Sequence, residues 1–177
     1  MLLAMDIGNT NVKIGLFKGD ELAYSWRVST VASHTADEYG MVLYDLLRQG
    51  GHHYKDIDGA VMSSVAPSLN YTIEHMCSYY TGKKPLVVDH RTRTGMRISY
   101  DNPSELGADR IVGAAAAMHF YGAPVIEVDF GSATTFNLVT ADGEFIGGAI
   151  APGVKTATES LVHTAAKLPR VELSTPD

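Results

Sequence analysis

One short pattern occurs twice in the chain, and it constrains the fold more than any other feature. The first copy is Asp6-Ile7-Gly8-Asn9-Thr10, and Asp129-Phe130-Gly131-Ser132-Ala133-Thr134-Thr135 begins 123 positions later. Each copy follows a short apolar run, and the segments after the two aspartates match without a gap as far as Gly19-Asp20-Glu21 and Asp142-Gly143-Glu144. Each half therefore predicts a strand, an Asp-x-Gly turn, a second strand, a tight turn and a third strand.

Helical and strand patterns alternate between the two copies. Thr35 and Glu38 form a capping box, and the apolar residues behind them have the spacing of a helix that ends at Gly50-Gly51. The following segments predict a strand, a helix, a strand, a loop and a helix, in that order: Asp58–Met62, Leu69–Tyr80, Pro85–Val88, Asp89–Gly107 and Asp109–Tyr121. The second three-strand unit occupies Pro124–Ile150. This alternation indicates an α/β protein made as a duplicated pair.

Composition limits the possible partners. With 177 residues, 45% of them hydrophobic, the chain can bury the core of one or two small domains. A net charge of −6, with no basic run longer than Lys83-Lys84, argues against nucleic acid. No apolar stretch reaches the ~18 residues of a membrane span, and the first residues do not resemble a signal peptide. The single cysteine, Cys77, fits a reducing cytoplasm. We therefore expect a soluble, cytoplasmic protein.

The two turns have the chemistry of phosphate binding. Gly8 lets the backbone approach a phosphate closely, and Asn9, Thr10 and Asn11 supply donors, so the turn can act as an anion nest. Asp6 can hold Mg²⁺ directly or through water. An ordinary hairpin turn is the alternative for a single copy, since Gly and Asn are common there. The second copy, with three hydroxyl residues soon after its glycine, favours phosphate binding.

Three further features each allow two interpretations. Lys13 can reach a phosphate as a point charge, although a lysine on an alternating strand is more often solvated. Asp109 can be a general base for a substrate hydroxyl, but capping of the helix is the commoner role there, and Arg110 beside it suits an anionic substrate group. The segment Gly147–Gly153 is either a close approach to a ligand or a structural turn before the last helix.

Other classes of site lack support in the sequence. The seven histidines do not have the spacing of a helical zinc pair, and Cys77 most resembles a packed core residue. The motifs of serine hydrolases, P-loop nucleotidases and dinucleotide enzymes are absent.

Seven segments follow one another in a fixed order along the chain. They are Asp6–Asn11, Ser63–Pro67, Tyr100–Pro103, Gly107–Arg110, Asp129–Thr135, Gly147–Gly153 and Thr164–Pro169. Together they resemble the type III pantothenate kinases, members of the acetate kinase/Hsp70/actin superfamily, which have duplicated ribonuclease-H-like (actin-like ATPase) domains. The resemblance spans all 177 residues, and the ordered set is more specific than any one motif.

The resemblance implies an activity and a set of site residues. The activity is ATP-dependent phosphorylation of pantothenate to 4'-phosphopantothenate, the first step of coenzyme A synthesis, in a homodimer whose substrate pocket involves the subunit interface. Asp109 would accept the proton, and Asp129 would bind a monovalent cation, K⁺ or NH₄⁺, beside the Mg²⁺ that accompanies ATP. ATP would contact Asp6, Ile7, Gly8, Asn9, Thr10, Asn11, Val12, Lys13 and Ser132, and pantothenate would contact Tyr100, Gly107, Ala108, Asp109 and Arg110.

The chain departs from the family pattern in two ways. Ser132 stands where many members have threonine, which keeps the hydroxyl. Family members also continue well beyond Asp177. We therefore expect the first ribonuclease-H-like domain at 1–108 and an incomplete second one at 109–177. A 177-residue piece of this kind can be inactive on its own. Two alternatives remain open. One is another enzyme of the superfamily, either a different small-molecule kinase, such as a sugar or acyl kinase, or a polyphosphatase. The other is a non-catalytic regulatory relative that binds pantothenate or ATP.

Overall fold

The chain forms a mixed α/β structure of two compact units in a computed structural model that describes residues 1–164. The first unit contains Met1–Thr94 and Ser104–Val112, and the second contains Gly95–Pro103 and the chain from Gly113 onwards. Over residues 1–164, no helix has the length and apolar character needed to cross a membrane. The motif segment Thr164–Pro169 lies, after its first residue, outside the described residues.

A five-stranded mixed sheet organises the first unit. Its strands are β1 (Leu2–Ile7), β2 (Asn11–Lys18), β3 (Glu21–Ser29), β4 (Gly59–Ser64) and β5 (Leu86–Val87), arranged in the order β3-β2-β1-β4-β5. The three strands of the meander pair antiparallel, whereas β4 lies parallel to β1 and β5 lies parallel to β4. The predicted three-strand start and the two later strands are confirmed.

Two helices cover one face of this sheet. The helix α1 (Ala36–Gln49) begins at the predicted capping box, in which Thr35 N–H donates to Glu38 and Glu38 N–H donates back to the Thr35 hydroxyl. The helix α2 (Pro67–Met76) is α-helical over a shorter span than predicted, because the chain widens into a π turn at Cys77–Thr81 before it ends at Gly82. The alternate residues Leu3, Met5 and Ile7 of β1 are buried in the resulting core.

The predicted packing role of Cys77 is confirmed. The side chain is fully buried in the same core, and this burial raises the pKa of the thiol to about 12. The residue therefore stays protonated and apolar in character.

The second unit contains a four-stranded sheet. Its strands are β6 (Arg97–Ile98), β7 (Val125–Phe130), β8 (Ala133–Val139) and β9 (Glu144–Pro152), in the order β6-β9-β8-β7. The helix α3 (Ala108–Tyr121) precedes β7 and contributes its residues up to Val112 to the first unit, and α4 (Val154–Thr164) follows β9. Strand β6 was not predicted within the long loop. The predicted third strand of the second unit is confirmed and extends two residues beyond Ile150, so the interpretation of Gly147–Gly153 as a turn is wrong as far as Pro152.

The two meanders share a β-bulge at corresponding places. The pairing of the second and third strands shifts between Leu16 and Phe17 in one unit and between Leu138 and Val139 in the other. The bulged residues are Ala23 and Ile146, which are 123 positions apart. The second strands of the two meanders, β2 and β8, instead correspond with an offset of 122 positions. The reason is that the turn after β7 is one residue shorter than the turn after β1, and the turn after β8 is one residue longer than the turn after β2. The gapless match is therefore wrong for β8 by one residue.

The contact between α1 and the π turn that follows α2 generates a stability prediction. A Cβ on Gly40 of α1 would lie 2.5 to 2.9 Å from three ring atoms of Tyr80. Gly to Ala normally stabilises a helix interior by about 1 kcal/mol, but here overpacking of a half-buried ring costs about 1–3 kcal/mol. We expect Gly40→Ala to lower the free energy of unfolding in urea. Met41→Ala, at the exposed neighbouring position, is the control, and a Gly40→Ala variant as stable as the wild type would contradict the packing argument.

Candidate functional site

The first Asp-x-Gly turn is a hairpin that a neighbouring threonine holds closed. Gly8 N–H donates to the Asn11 carbonyl oxygen at 3.0 Å. Thr30, which follows β3, donates its hydroxyl to the Gly8 carbonyl oxygen at 2.7 Å and its N–H to that of Thr10 at 3.0 Å. Asn9 and Thr10 are exposed at the tip. The hairpin alternative is thus correct for the topology, while the fixed backbone and exposed donors keep the turn suitable for an anion. Sequence analysis missed Thr30, because no motif marks it.

An ion pair stands at the base of this turn. Asp6 and Lys13 face each other across β1 and β2, and Lys13 Nζ lies 3.2 Å from Asp6 Oδ2. The side chains are 34% and 53% exposed, so solvent screening leaves the pair a small effect on stability. Lys13 is therefore half exposed to solvent, as expected for a lysine on an alternating strand, and its ammonium also pairs with Asp6.

Parallel pairing of β1 and β4 brings three predicted segments together within the first unit. The strands run side by side from Leu2 and Gly59 to Ile7 and Ser64, and Val65 N–H then donates to the Ile7 carbonyl oxygen at 3.0 Å. A Cβ placed on Gly107 would lie 3.5 Å from Val65 Cγ1. The Ser63–Val65 segment therefore links the Asp6 turn to the beginning of α3. The sequence analysis quoted Ser63–Pro67 but assigned no role to it.

The beginning of α3 is arranged differently from a simple aspartate cap. Gly107 occupies the capping position, because its carbonyl oxygen accepts from Arg110 N–H at 3.1 Å and from Ile111 N–H at 3.2 Å. Asp109 is the second residue of the helix, and its Oδ1 accepts from Arg110 N–H at 2.8 Å. A Cβ on Gly107 would collide with this oxygen. The glycine therefore makes room for the carboxylate, which the helix N-terminus also favours electrostatically.

Arg110 adds a buried positive charge beside Asp109. Its residue exposure is 8%, which is unusual for arginine in a small protein. A guanidinium at this place can bind a carboxylate or a phosphate in two-point fashion. Ala108, the remaining member of the predicted substrate segment, is buried and serves packing.

The second Asp-x-Gly turn, in the other unit, has a similar backbone bond and a tight neighbour. Gly131 N–H donates to the Ala133 carbonyl oxygen at 2.9 Å. The Ser132 carbonyl oxygen accepts from Gly153 N–H at 3.1 Å and from the Thr156 hydroxyl at 3.3 Å. The Asp129 carboxylate bends over the turn, since its Oδ2 would lie 3.6 Å from a Cβ on Gly131. The start of α4 thus fixes the turn that carries the predicted cation ligand.

Tyr100 belongs to the same second unit, whereas Gly107–Arg110 belong to the first. Its ring lies 6.3 Å from the ring of the fully buried Phe145, centroid to centroid. A Cβ on Gly147, whose φ is 121°, would be 3.7 Å from the Tyr100 ring. Phe145 and Gly147, both in β9, therefore pack against the Tyr100 ring and orient it.

The metal-binding capacity of these turns is modest. Among residues 1–164, no three His, Cys, Asp or Glu side chains come together as a metal site. Mg²⁺ suits such a place, because it usually binds one or two carboxylates, keeps several waters and takes the other oxygens from substrate phosphates. Asp6 fits that description. A monovalent cation requires oxygen donors, and the exposed Asp129 carboxylate is a donor of that kind.

The fold and these turns define a mixed α/β protein with two acidic hairpin turns of the kind that hold phosphates. A family model described as type III pantothenate kinase matches residues 2–177. The type III pantothenate kinase of Geobacillus kaustophilus is 49% identical over 177 residues, covering 100% of this chain and 69% of that protein. That of Brevibacillus brevis is 51% identical over 176 residues, covering 99% and 69%. The chain therefore belongs to the type III pantothenate kinase family.

Two solved structures resemble the fold. A Campylobacter jejuni protein described as a Baf family transcriptional activator has a TM-score of 0.55 at 18% identity, covering 99% of this chain and 68% of that one. The ethanolamine utilization protein EutJ of Carboxydothermus hydrogenoformans has a TM-score of 0.51 at 13% identity, with coverages of 95% and 57%. At these identities the likeness concerns the fold alone.

The contact between Gly153 and the second turn generates a prediction. A Cβ on Gly153 would lie 2.6 Å from the Ser132 carbonyl oxygen and 2.8 Å from its carbon, and it would also meet the Gly131 carbonyl oxygen. Backbone atoms cannot rotate away as a side chain can, so we expect Gly153→Ala to destabilise the protein by about 1–3 kcal/mol. Urea unfolding measures this loss. Gly59→Ala is the matched control, because its Cβ would lie at an ordinary 3.6 Å from Leu2; equal stabilities of the two variants would refute the contact.

Proposed function

We propose that the protein phosphorylates pantothenate with ATP, in the first step of coenzyme A synthesis. Membership of the type III pantothenate kinase family carries this proposal. The grouping of the Asp6 turn, the Ser63–Val65 segment and the start of α3 within one unit supports it, because phosphoryl transfer needs a phosphate-binding turn and a proton acceptor on one rigid framework.

The ATP phosphates are proposed to lie against the segment from Asp6 to Lys13 and against Ser132. In the first turn the exposed Asn9 and Thr10 offer donors, and the Lys13 ammonium, half exposed beside Asp6, is available to a phosphate oxygen. When bound with ATP, Mg²⁺ neutralises charge on the transferring phosphoryl group. Asp6 is the residue proposed to hold the hydrated ion.

Asp109 is proposed to accept the proton of the pantothenate hydroxyl. As the oxygen of that hydroxyl forms its bond to the γ-phosphorus, the bond to the leaving ADP oxygen breaks and the proton passes to the carboxylate. In a loose transition state this proton moves late, so an ordinary carboxylate suffices. The bond from Arg110 N–H to Asp109 Oδ1 orients the carboxylate at the start of α3.

Pantothenate is proposed to contact Tyr100 and Gly107–Arg110. Pantothenate carries a carboxylate, and Arg110 supplies the buried positive charge in this set. Tyr100 offers a phenol group that is held from behind by Phe145. Gly107 and Ala108 present backbone rather than long side chains, which leaves space next to Asp109.

Asp129 is proposed to bind a monovalent cation, K⁺ or NH₄⁺. The carboxylate is exposed and bends over its own turn towards Gly131. Since the same turn carries the Ser132 hydroxyl proposed for ATP, a cation there would offset repulsion between the carboxylate and a phosphate.

We also propose that the fold is a pair of duplicated ribonuclease-H-like (actin-like ATPase) domains, at 1–108 and 109–177, with the second one incomplete in this chain. The shared β-bulge supports the duplication. Leu3 and Ile7 of β1 are fully buried under α1 and α2, whereas the corresponding Ile126 and Phe130 of β7 are 64% and 74% exposed. The outer edge of β7 also has no strand partner within residues 1–164, whereas β1 pairs with β4.

A homodimer in the cytoplasm, without nucleic-acid or membrane partners, completes the proposal. The aromatic side chains of Phe120 and Tyr121 at the end of α3 are 75% and 85% exposed, and an exposed apolar cluster of this kind suits a protein interface. The net charge of −6 disfavours nucleic acid.

The activity is testable with a coupled assay of ADP formation on the full-length protein. We expect ADP release that requires pantothenate and is stimulated by KCl relative to NaCl at equal ionic strength, because a cation at Asp129 offsets charge near the phosphates. Other small alcohols and hydroxy acids are the substrate controls. Absence of pantothenate-dependent turnover with K⁺ present would reject the proposal, and binding of pantothenate without turnover would favour a regulatory role.

The role of Asp109 is testable by Asp109→Asn, which keeps the shape of the side chain but removes the proton acceptor. We expect kcat to fall by about 10²- to 10⁴-fold, while the affinity for ATP in calorimetry is largely kept. Asp142→Asn, an exposed carboxylate in the hairpin between β8 and β9, is the control. A normal rate for Asp109→Asn would remove this residue from catalysis.

A further inference from the structure

Ser63, near the end of β4, has a buried hydroxyl that the fold does not use. The residue is 5% exposed, and its Oγ has no hydrogen-bond partner among the described residues. A buried polar group without a partner destabilises a protein, whereas alanine would pack there without that cost. The next residue differs, because Ser64 Oγ accepts from Ala66 N–H at 3.2 Å. The hydroxyl of Ser63 therefore calls for a partner from outside the chain.

The register of the sheet sets Ser63 beside the proposed phosphate turn. Asp6 of β1 is paired with Lys13 on one side and with Ser63 on the other, so the three side chains form one row on one face of the sheet. Lys13 and Asp6 form an ion pair at 3.2 Å. Between Asp6 and Ser63 no hydrogen bond forms, and the row borders a cavity of about 300 Å³.

The cavity has a polar end, here called the head, and an apolar remainder. Asp6, Lys13 and Ser63 line it at the head, and small or apolar residues such as Ala4, Gly15 and Val61 line the rest. Water at such a head needs two to four polar partners, which the carboxylate and the hydroxyl provide. A divalent cation held through water at Asp6 brings such molecules, because Mg²⁺ keeps several of its waters.

We propose that Ser63 is a further residue of the nucleotide site, whose Oγ accepts a hydrogen bond from a water molecule of the hydrated Mg²⁺ that Asp6 holds with ATP. This inference rests on the proposed function. Cation-bound water is a strong donor, and a hydroxyl beside the carboxylate is a suitable acceptor. Ser63 thus positions the hydrated cation and does not touch the reacting atoms.

The test compares Ser63→Ala with Ser64→Ala in the full-length protein. Calorimetry measures the dissociation constant of ATP with excess MgCl₂ and of ATP in EDTA, and thermal unfolding measures the stability of the ligand-free protein. For Ser63→Ala we expect about 3- to 10-fold weaker binding of magnesium ATP, unchanged binding of ATP in EDTA, and a melting temperature equal to or above that of the wild type. Ser64→Ala should bind both forms like the wild type.

The other outcomes overturn the inference in distinguishable ways. Normal magnesium ATP affinity in Ser63→Ala would mean that the hydroxyl is only tolerated, and equal weakening with and without the metal would mean that it contacts a phosphate. Failure of the wild type to bind magnesium ATP would reject the proposed function itself. If Ser63→Ala lost stability, Ser63→Cys, which keeps the size but is a weak acceptor, would be measured in its place.

Discussion

The parallel pairing of β1 with β4 is the constraint on which the first unit's site depends. Six consecutive pairs, from Leu2 with Gly59 to Ile7 with Ser64, make both strands end at the same edge of the sheet. Val65 continues the pairing by one backbone bond and packs against Gly107. A parallel pair needs a long crossover, and here α1 lies in that crossover. The same helix thereby belongs both to the core and to the connection between the two paired strands.

Charge gives a physical reason for the two cations that we propose at these turns. Both turns begin with a carboxylate, Asp6 or Asp129, and both are proposed to face phosphates. A carboxylate and a phosphate in close contact repel one another strongly unless a positive charge stands between them. Lys13 supplies one such charge through its ion pair with Asp6. This side chain is half exposed to solvent and carries only one positive charge. A divalent ion with ATP, and a monovalent ion at the second turn, are the simplest ways to complete the balance.

Features of the fold that depend on local chemistry could be predicted from the sequence. Features that depend on contacts between distant residues could not. The capping box at Thr35 and the end of α1 at Gly50 both depend on near neighbours, and the structure confirms them. Strand β6 has only two residues and exists through its pairing with β9, so its sequence carries no periodic signal. Likewise Thr30 and Ser63 gain significance only from the strands beside them. A sequence motif identifies the residues of a turn, but it does not identify the residues on neighbouring strands that contact the turn.

The repeat itself shows how a gapless match can mislead about register. A one-residue deletion in the turn after β7 and a one-residue insertion in the turn after β8 cancel, so the flanking strands align at one offset and the strand between them at another. Because side chains alternate between the faces of a strand, a slip by one residue exchanges the two faces. The shared bulge opposite Ala23 and Ile146 is the better guide, since a bulge is fixed by backbone pairing rather than by side-chain type. By that guide, Thr135 corresponds to Lys13. In the pairing itself Thr135 lies opposite Asp129 as Lys13 lies opposite Asp6. The second turn therefore has a neutral hydroxyl where the first has an ammonium, which is a physical argument for the monovalent cation that we propose there.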